Sequence, residues 1–256
     1  MSTIPLPGKR RNISFLESRA RCAMMALLLG CFMAPVCLAQ TGNPDPWEGF
    51  NRAMYSFNEG ADRYVLKPVA KAYKLVMPDI AEQGVTNVFR NLGEVRNATH
   101  HLLQGKGYSS ANSAGRFLLN STVGIAGLFD VADGMGLERG AAEDLGQTLA
   151  VWGVDSGPYL ILPLLGPSTL RDSPSRYADR FLDPVIYLED VGARNALRVT
   201  ELIDLRARYL DADRALPAND PYSFAREAWF QRRDYEIRDG EIEDEFGGEG
   251  FDDFLD

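Results

Sequence analysis

Along most of the chain, apolar residues return at helical intervals. Val65, Leu66, Val69, Tyr73 and Val76 make one stripe, and Ile80, Val85, Val88, Phe89, Leu92 and Val95 make a second. Spacings of three and four place such residues on one face of an α-helix, whereas the alternation that marks a half-buried strand is scarce. Punctuation between the stripes is legible at Met77-Pro78, across residues 105–110, at Asp183-Pro184 and at Asp220-Pro221. In the last of these, Asp suits an N-cap and Pro the first helical position. The longest helix is expected over residues 191–213, with a stripe of Leu197, Leu202, Ile203 and Leu210. The pattern predicts an all-α fold without internal repeats.

Two segments fit a water-soluble bundle poorly. Residues 117–129 run without a charge and mix bulky apolar groups with Gly124 and Gly127; residues 156–170 are uncharged and broken by Pro158, Pro163 and Pro167. The second cannot be one helix, because each proline removes a donor and clashes with the preceding turn. Neither reaches the ~20 residues needed to span a bilayer. Read without further context, each could equally fill the core of an ordinary domain.

The ends differ from the middle. Residues 1–39 carry a basic start, an apolar stretch over residues 22–36 and then small residues, the pattern of an export signal. Cleavage after Ala39 would remove all three cysteines. A lipoprotein signal is the rival reading, with Cys31 (after Leu28-Leu29-Gly30) or Cys37 as the lipidated residue. Residues 40–46 read as a linker, 47–238 as the helical domain and 239–256 as a disordered acidic tail. That tail holds nine acids and no base, and so carries the whole of the net charge of -9. Residues 40–238 contain 22 bases against 26 acids, which is no nucleic-acid footprint.

Candidate chemistry is sparse. His100 and His101 are adjacent, so they point in different directions on a helix, which suits a polar face better than a metal pair. The run Gly153-Val154-Asp155-Ser156-Gly157 misses the spacing of a hydrolase elbow, and no phosphate-binding glycine loop occurs. Asp130 with Asp133, and Glu143 with Asp144, read as caps or solvated acids rather than as catalytic pairs. No metal, no cofactor and no catalytic set is expected.

Four blocks stand out in order along the chain. They are Asp45-Pro46-Trp47-Glu48-Gly49-Phe50-Asn51-Arg52 continuing to Asn58; Gly115-Arg116-Phe117-Leu118-Leu119-Asn120-Ser121-Thr122-Val123-Gly124 continuing to Ala132; Asp144-Leu145-Gly146-Gln147-Thr148-Leu149 continuing to Asp172; and Asp220-Pro221-Tyr222 with Arg226-Glu227 and Phe230-Gln231-Arg232. Together they cover roughly residues 45–236, and in order and spacing they resemble the MlaA (VacJ) family of outer-membrane phospholipid-transport proteins. The family carries a clear lipidation box, which is blurred here.

The resemblance implies a ring of amphipathic helices lying in the inner leaflet of the Gram-negative outer membrane, on its periplasmic side, around a central amphipathic channel. It implies removal of phospholipid from the outer leaflet, association with a trimeric porin and transfer to a soluble periplasmic phospholipid carrier. No covalent step is implied, and flux down a gradient needs no nucleotide. Phe117, Leu118, Leu119, Ile125, Leu128 and Phe129 are then expected to face the membrane. The segment Gly157, Pro158, Tyr159, Leu160, Ile161, Leu162, Pro163, Leu164, Leu165 and Gly166 is expected to line or gate the channel. A membrane-associated phospholipase and a purely structural porin-binding module are the alternatives.

Overall fold

The computed structural model describes residues 45–211 and 219–241. The export or lipidation signal, with Cys31 and Cys37, and nearly all of the acidic tail therefore lie outside the described residues.

Helices α1 (Glu48–Ala61) and α2 (Lys67–Val76) are joined by a π-helical turn, Asp62–Leu66. The wide turn has a local cause: Pro68 follows it, offers no N–H, and would press on the carbonyl four residues back if the α-helix ran on unbroken. The Met77-Pro78 break ends α2, and α3 spans Asp79–Leu103. After Gly105 come α4 (Gly107–Thr122) and the short α5 (Val131–Gly134). Helix α6 (Leu145–Val151) leads to strands β1 (Tyr159–Leu162) and β2 (Gly166–Thr169). Helix α7 (Asp172–Asp179), 3-10 turns at Arg180–Leu182 and Pro184–Tyr187, α8 (Val191–Arg208) and α9 (Pro221–Ile237) complete the described chain.

The fold is predominantly helical, as the periodicity implies, with two differences. The longest described helix is α3, and α8 stops at Arg208 rather than continuing to residue 213. The proline-broken segment is an antiparallel hairpin, pairing Tyr159 with Thr169 and Leu162 with Gly166. Three residues, Pro163, Leu164 and Leu165, make its turn, with Leu164 and Gly166 in the left-handed region at φ 61° and 77°. The expected cap is present at Asp220, whose side chain accepts from the Ser223 N–H, and Asp183 caps its 3-10 turn in the same way through the Val185 N–H.

Packing inverts the arrangement of a soluble bundle. Among the described residues the buried apolar side chains are Ala70, Ala132, Tyr159, Ile161, Val185, Ala207 and Tyr222, whereas Asn51, Asn91, Glu94, Asn97, His100, Arg116, Asn120, Glu143, Thr148, Asp172 and Asp204 are all buried. Large apolar side chains stand outside: Leu75 is 87% exposed, Ile80 83% and Val76 80%. On α3 the buried positions Asn91, Glu94, Asn97 and His100 recur every third residue, so the helix turns a polar stripe inward.

Among the described residues there is one compact apolar cluster. Tyr159, Ile161 and Tyr222 pack with Met54, Tyr55, Trp229 and Phe230, seating β1 between α1 and α9. The Tyr159 ring lies 5.4 Å from that of Phe230 and 5.6 Å from that of Trp229.

Candidate functional site

The interior is held by three sets of polar contacts. The first is a charge box. Arg116, fully buried on α4, donates from Nε to Glu94 on α3 (3.2 Å) and from Nη2 to Asp130 (2.6 Å). Arg139 closes the box with 2.9 Å to Glu94 and 3.2 Å to Asp130. Asn120 donates to Asp130 (2.9 Å) and accepts from the Ala132 N–H, and Arg116 also donates to the Leu137 carbonyl. Two cations against two anions leave the box neutral, as a buried set must be. Burial works to raise the Asp130 pKa, but hydrogen bonds from Asn120 and Arg139 and the Arg116 charge leave it below the usual carboxylate range.

The second set lies further along α3. Asn97 donates to Glu94 (3.1 Å) and accepts from the Glu143 N–H (3.0 Å). The two ring nitrogens of His100 reach Thr148 (Nδ1, 3.0 Å) and Asp179 (Nε2, 2.9 Å), tying α3 to α6 and α7. A carboxylate only accepts, so Nε2 carries the hydrogen. His100 and His101 are thus buried and do not form a polar surface face. Neighbouring helical positions diverge, but α6, α7 and the loop carrying Glu143 enclose this end of α3 on both sides. The order Thr148–His100–Asp179 has the form of a nucleophile, base and acid. Thr148 is nonetheless fully buried, and its hydroxyl is already engaged by Gln104 Nε2 (3.2 Å) and the Asp144 carbonyl (3.2 Å), leaving a substrate no approach.

The third set centres on Arg233 of α9. It holds Asp144 through two hydrogen bonds (2.7 and 2.8 Å) and Asp172 from Nε (2.9 Å). Asp144 also caps α6 by accepting from the Gln147 N–H (2.8 Å), so its reading as a cap is right and incomplete. Asp130 and Glu143, read the same way, make no cap: one belongs to the charge box, and the other is buried against Gln104 (2.8 Å). A Cβ on Gly146 would lie 2.4 Å from both Arg233 Nη2 and Asp172 Oδ1, so only glycine lets this pair cross the α6 backbone.

Acid should expose the third set. Burial alone would raise the Asp144 pKa, but Arg233 and the Gln147 amide pull it down to about 2. A depressed carboxylate stabilises the fold above its unfolded pKa and loses that contribution as pH falls through the folded value. Roughly 2 kcal/mol should therefore vanish between about pH 4 and pH 2. Asp144→Asn, which keeps a capping oxygen, should flatten that limb when stability is followed against pH; an unaltered limb would place the acid sensitivity elsewhere.

The ten hairpin residues named from the sequence do not share one environment. Tyr159 and Ile161 belong to the apolar cluster, Leu160 and Leu162 are half-buried, and Leu164 and Leu165 stand exposed at the turn. The hairpin is fastened by two asparagines seven residues apart on α1. Asn51 accepts from the Ile161 N–H (2.8 Å) and donates to the Tyr159 carbonyl (3.0 Å) and to Asp45 (2.8 Å). Asn58 does the same at Leu164 N–H (2.7 Å) and the Leu162 carbonyl (2.9 Å). Tyr222 donates to Asp45; burial first, then that bond, raises the tyrosine pKa.

Of the outward residues named from the sequence, Leu118, Ile125, Leu128 and Phe129 are exposed, while Phe117 and Leu119 are half-buried. After α4, Ile125, Ala126 and Gly127 take φ of 54°, 55° and 89°. Left-handed geometry is uncommon for a β-branched residue and stores strain. The turn brings Gly127 so near Asn91 that a Cβ would meet it at 2.7 Å. Among the described residues, no group of His, Cys, Asp and Glu is placed to hold a metal ion, and no helix is long and apolar enough to cross a membrane.

These features define a class: a helical protein with apolar side chains outward and paired charges inward. Residues 43–236 match the family model for the MlaA lipoprotein, and the chain belongs to that family. An Escherichia coli protein named intermembrane phospholipid transport system lipoprotein MlaA is 40% identical over 84% of this chain and 86% of its own length. A Haemophilus influenzae protein of the same name is 31% identical over 77% of this chain and 81% of its own. A solved structure described as a structural basis for maintenance of bacterial outer membrane lipid asymmetry superposes with a TM-score of 0.68 at 38% identity, covering 75% of this chain and 98% of that one.

Proposed function

We propose that the protein is the outer-membrane component of an intermembrane phospholipid transport system. It removes mislocalised phospholipid from the outer leaflet, passes it to a soluble periplasmic carrier and works beside a trimeric porin. The observation that carries this reading is the inverted packing: polar and charged side chains are buried, while Leu75, Val76, Ile80, Leu118, Val123, Ile125 and Phe129 face outward. Such a surface suits helices lying within one leaflet, ringed around a polar passage for headgroups. Homology to proteins named for phospholipid transport supports it. The hairpin turn, with Leu164 and Leu165 exposed above a fastened base, offers acyl chains an apolar path into that passage. Lipid analysis of the outer leaflet in a deletion strain, with and without the gene restored, tests the reading; unchanged phospholipid content would refute it.

The outward face gives a direct measurement. Leu75→Asp with Ile80→Asp should lower vesicle association on the order of 100-fold or more, since each buried aliphatic side chain contributes about 1.5–3 kcal/mol. The comparison belongs in processed protein with Cys31 and Cys37 both changed to Ser, so that no lipid anchor masks the effect. Equal flotation of the two proteins with liposomes would show that this face does not meet lipid.

A further inference from the structure

Among the described residues, one half-buried basic side chain has neither a hydrogen-bond nor an ion-pair partner. Arg96 on α3 is half-buried, and its Nε is shut off from water without a hydrogen bond. A guanidinium in that state carries an uncompensated desolvation cost. It fronts a cavity of about 80 Å³ between α3, the 3-10 turns and α8. Phe89, Leu92, Leu182 and Val185 give this space apolar walls, and Asp183 and Glu201 bring carboxylates to it. Neither acid serves Arg96. Both are held by Arg198 Nη1, through Asp183 Oδ2 and, at 3.2 Å, Glu201 Oε2.

A water needs on the order of 10–15 Å³ by this measure, so the cavity has room for a phosphate-sized group and not for a whole lipid. An unpaired cation, a carboxylate with a free oxygen and apolar walls together suit a zwitterionic amphiphile. On the transport reading above, we infer that this cavity receives the headgroup of phosphatidylethanolamine, with phosphate on Arg96 and ammonium on Glu201 Oε1. A primary ammonium donates hydrogen bonds to a carboxylate; a quaternary one cannot, and a glycerol headgroup brings no positive charge. The apolar walls favour a lipid over free phosphate.

The test is native mass spectrometry of the purified full-length protein from micelles containing equal phosphatidylethanolamine and phosphatidylglycerol. Wild type should retain phosphatidylethanolamine in preference. Arg96→Gln should lower retention of both lipids about ten-fold, as expected for loss of a charge-assisted hydrogen bond. Glu201→Gln should abolish the preference while leaving phosphatidylglycerol bound. Gly93→Leu provides a route that spares every charge: a Cβ there meets nothing within 4 Å, and the leucine fills the cavity from a helical position that gains propensity. It should displace the lipid without lowering the melting temperature, and it decides the matter if Arg96→Gln does not fold. Retention unchanged in Gly93→Leu, no preference in wild type, or full displacement of lipid by millimolar inorganic phosphate would each overturn the assignment. Failure here with normal rescue of the deletion strain removes the site alone; failure of rescue removes the transport reading.

Discussion

Replacing Arg116 with methionine is expected to destabilise the fold by about 3–5 kcal/mol, the range for removing one member of a buried ion-paired set. Methionine fills most of the arginine's volume, so the loss is electrostatic rather than a cavity. Glu94, 1% exposed, would be left with Arg139 as its only cation, and Asp130 would lose its closest partner. The box would shift from neutral to one net negative charge, with Glu94 shut away from water. Denaturant or thermal unfolding in detergent measures the effect. Adding Glu94→Leu to the Arg116 variant should recover part of it, because the stranded anion is then gone, and pairs in direct contact couple by about 0.5–3 kcal/mol. A variant as stable as wild type, or strict additivity of the pair, would show that the box contributes nothing specific.

Asn51→Leu should have the next largest effect, about 2–5 kcal/mol, from stranding the buried Tyr159 carbonyl and Ile161 N–H together. The same change at Asn58 should cost less, since its contact with the Leu164 N–H lies at the exposed hairpin turn, where water can substitute. Near-ultraviolet circular dichroism gives a second readout, because release of β1 alters the packing of Tyr159 on Trp229 and Phe230. If the two variants are equally stable, hydrogen bonding to the hairpin is not what holds it.

Much of this architecture was legible because helix boundaries are local. Asp220 followed by Pro221, or Met77 followed by Pro78, declares an end or a start without knowledge of tertiary structure. The interior was not legible, because burial of charge is a property of partners distant in sequence. Asn91, Glu94, Asn97 and His100 are a polar stripe that would face water in a soluble helix, and only the outward apolar surface shows that it points in. Arg116, Gly146 and Asn51 sit inside the blocks that carry the family resemblance, which mark their presence but not their roles. Glu94 and Arg139, which complete the box around Arg116, and Arg233, which crosses at Gly146, lie outside those blocks, and nothing in their local context marks them. The hairpin was hidden for a different reason: its register is supplied by two asparagines more than a hundred residues away, not by alternation within the strands.

An interior made of paired charges has a consequence for how the protein becomes folded. In plain water the chain gains little by collapsing, since its buried apolar cluster is small and most of its aliphatic surface is on the wrong side. On the proposed placement, the missing driving force arrives when that surface leaves water for acyl chains. Part of the folding free energy is then a transfer free energy, in which the amphiphile acts as a ligand that binds only the native form. A melting temperature for such a molecule has meaning only when the amphiphile and its concentration are given with it.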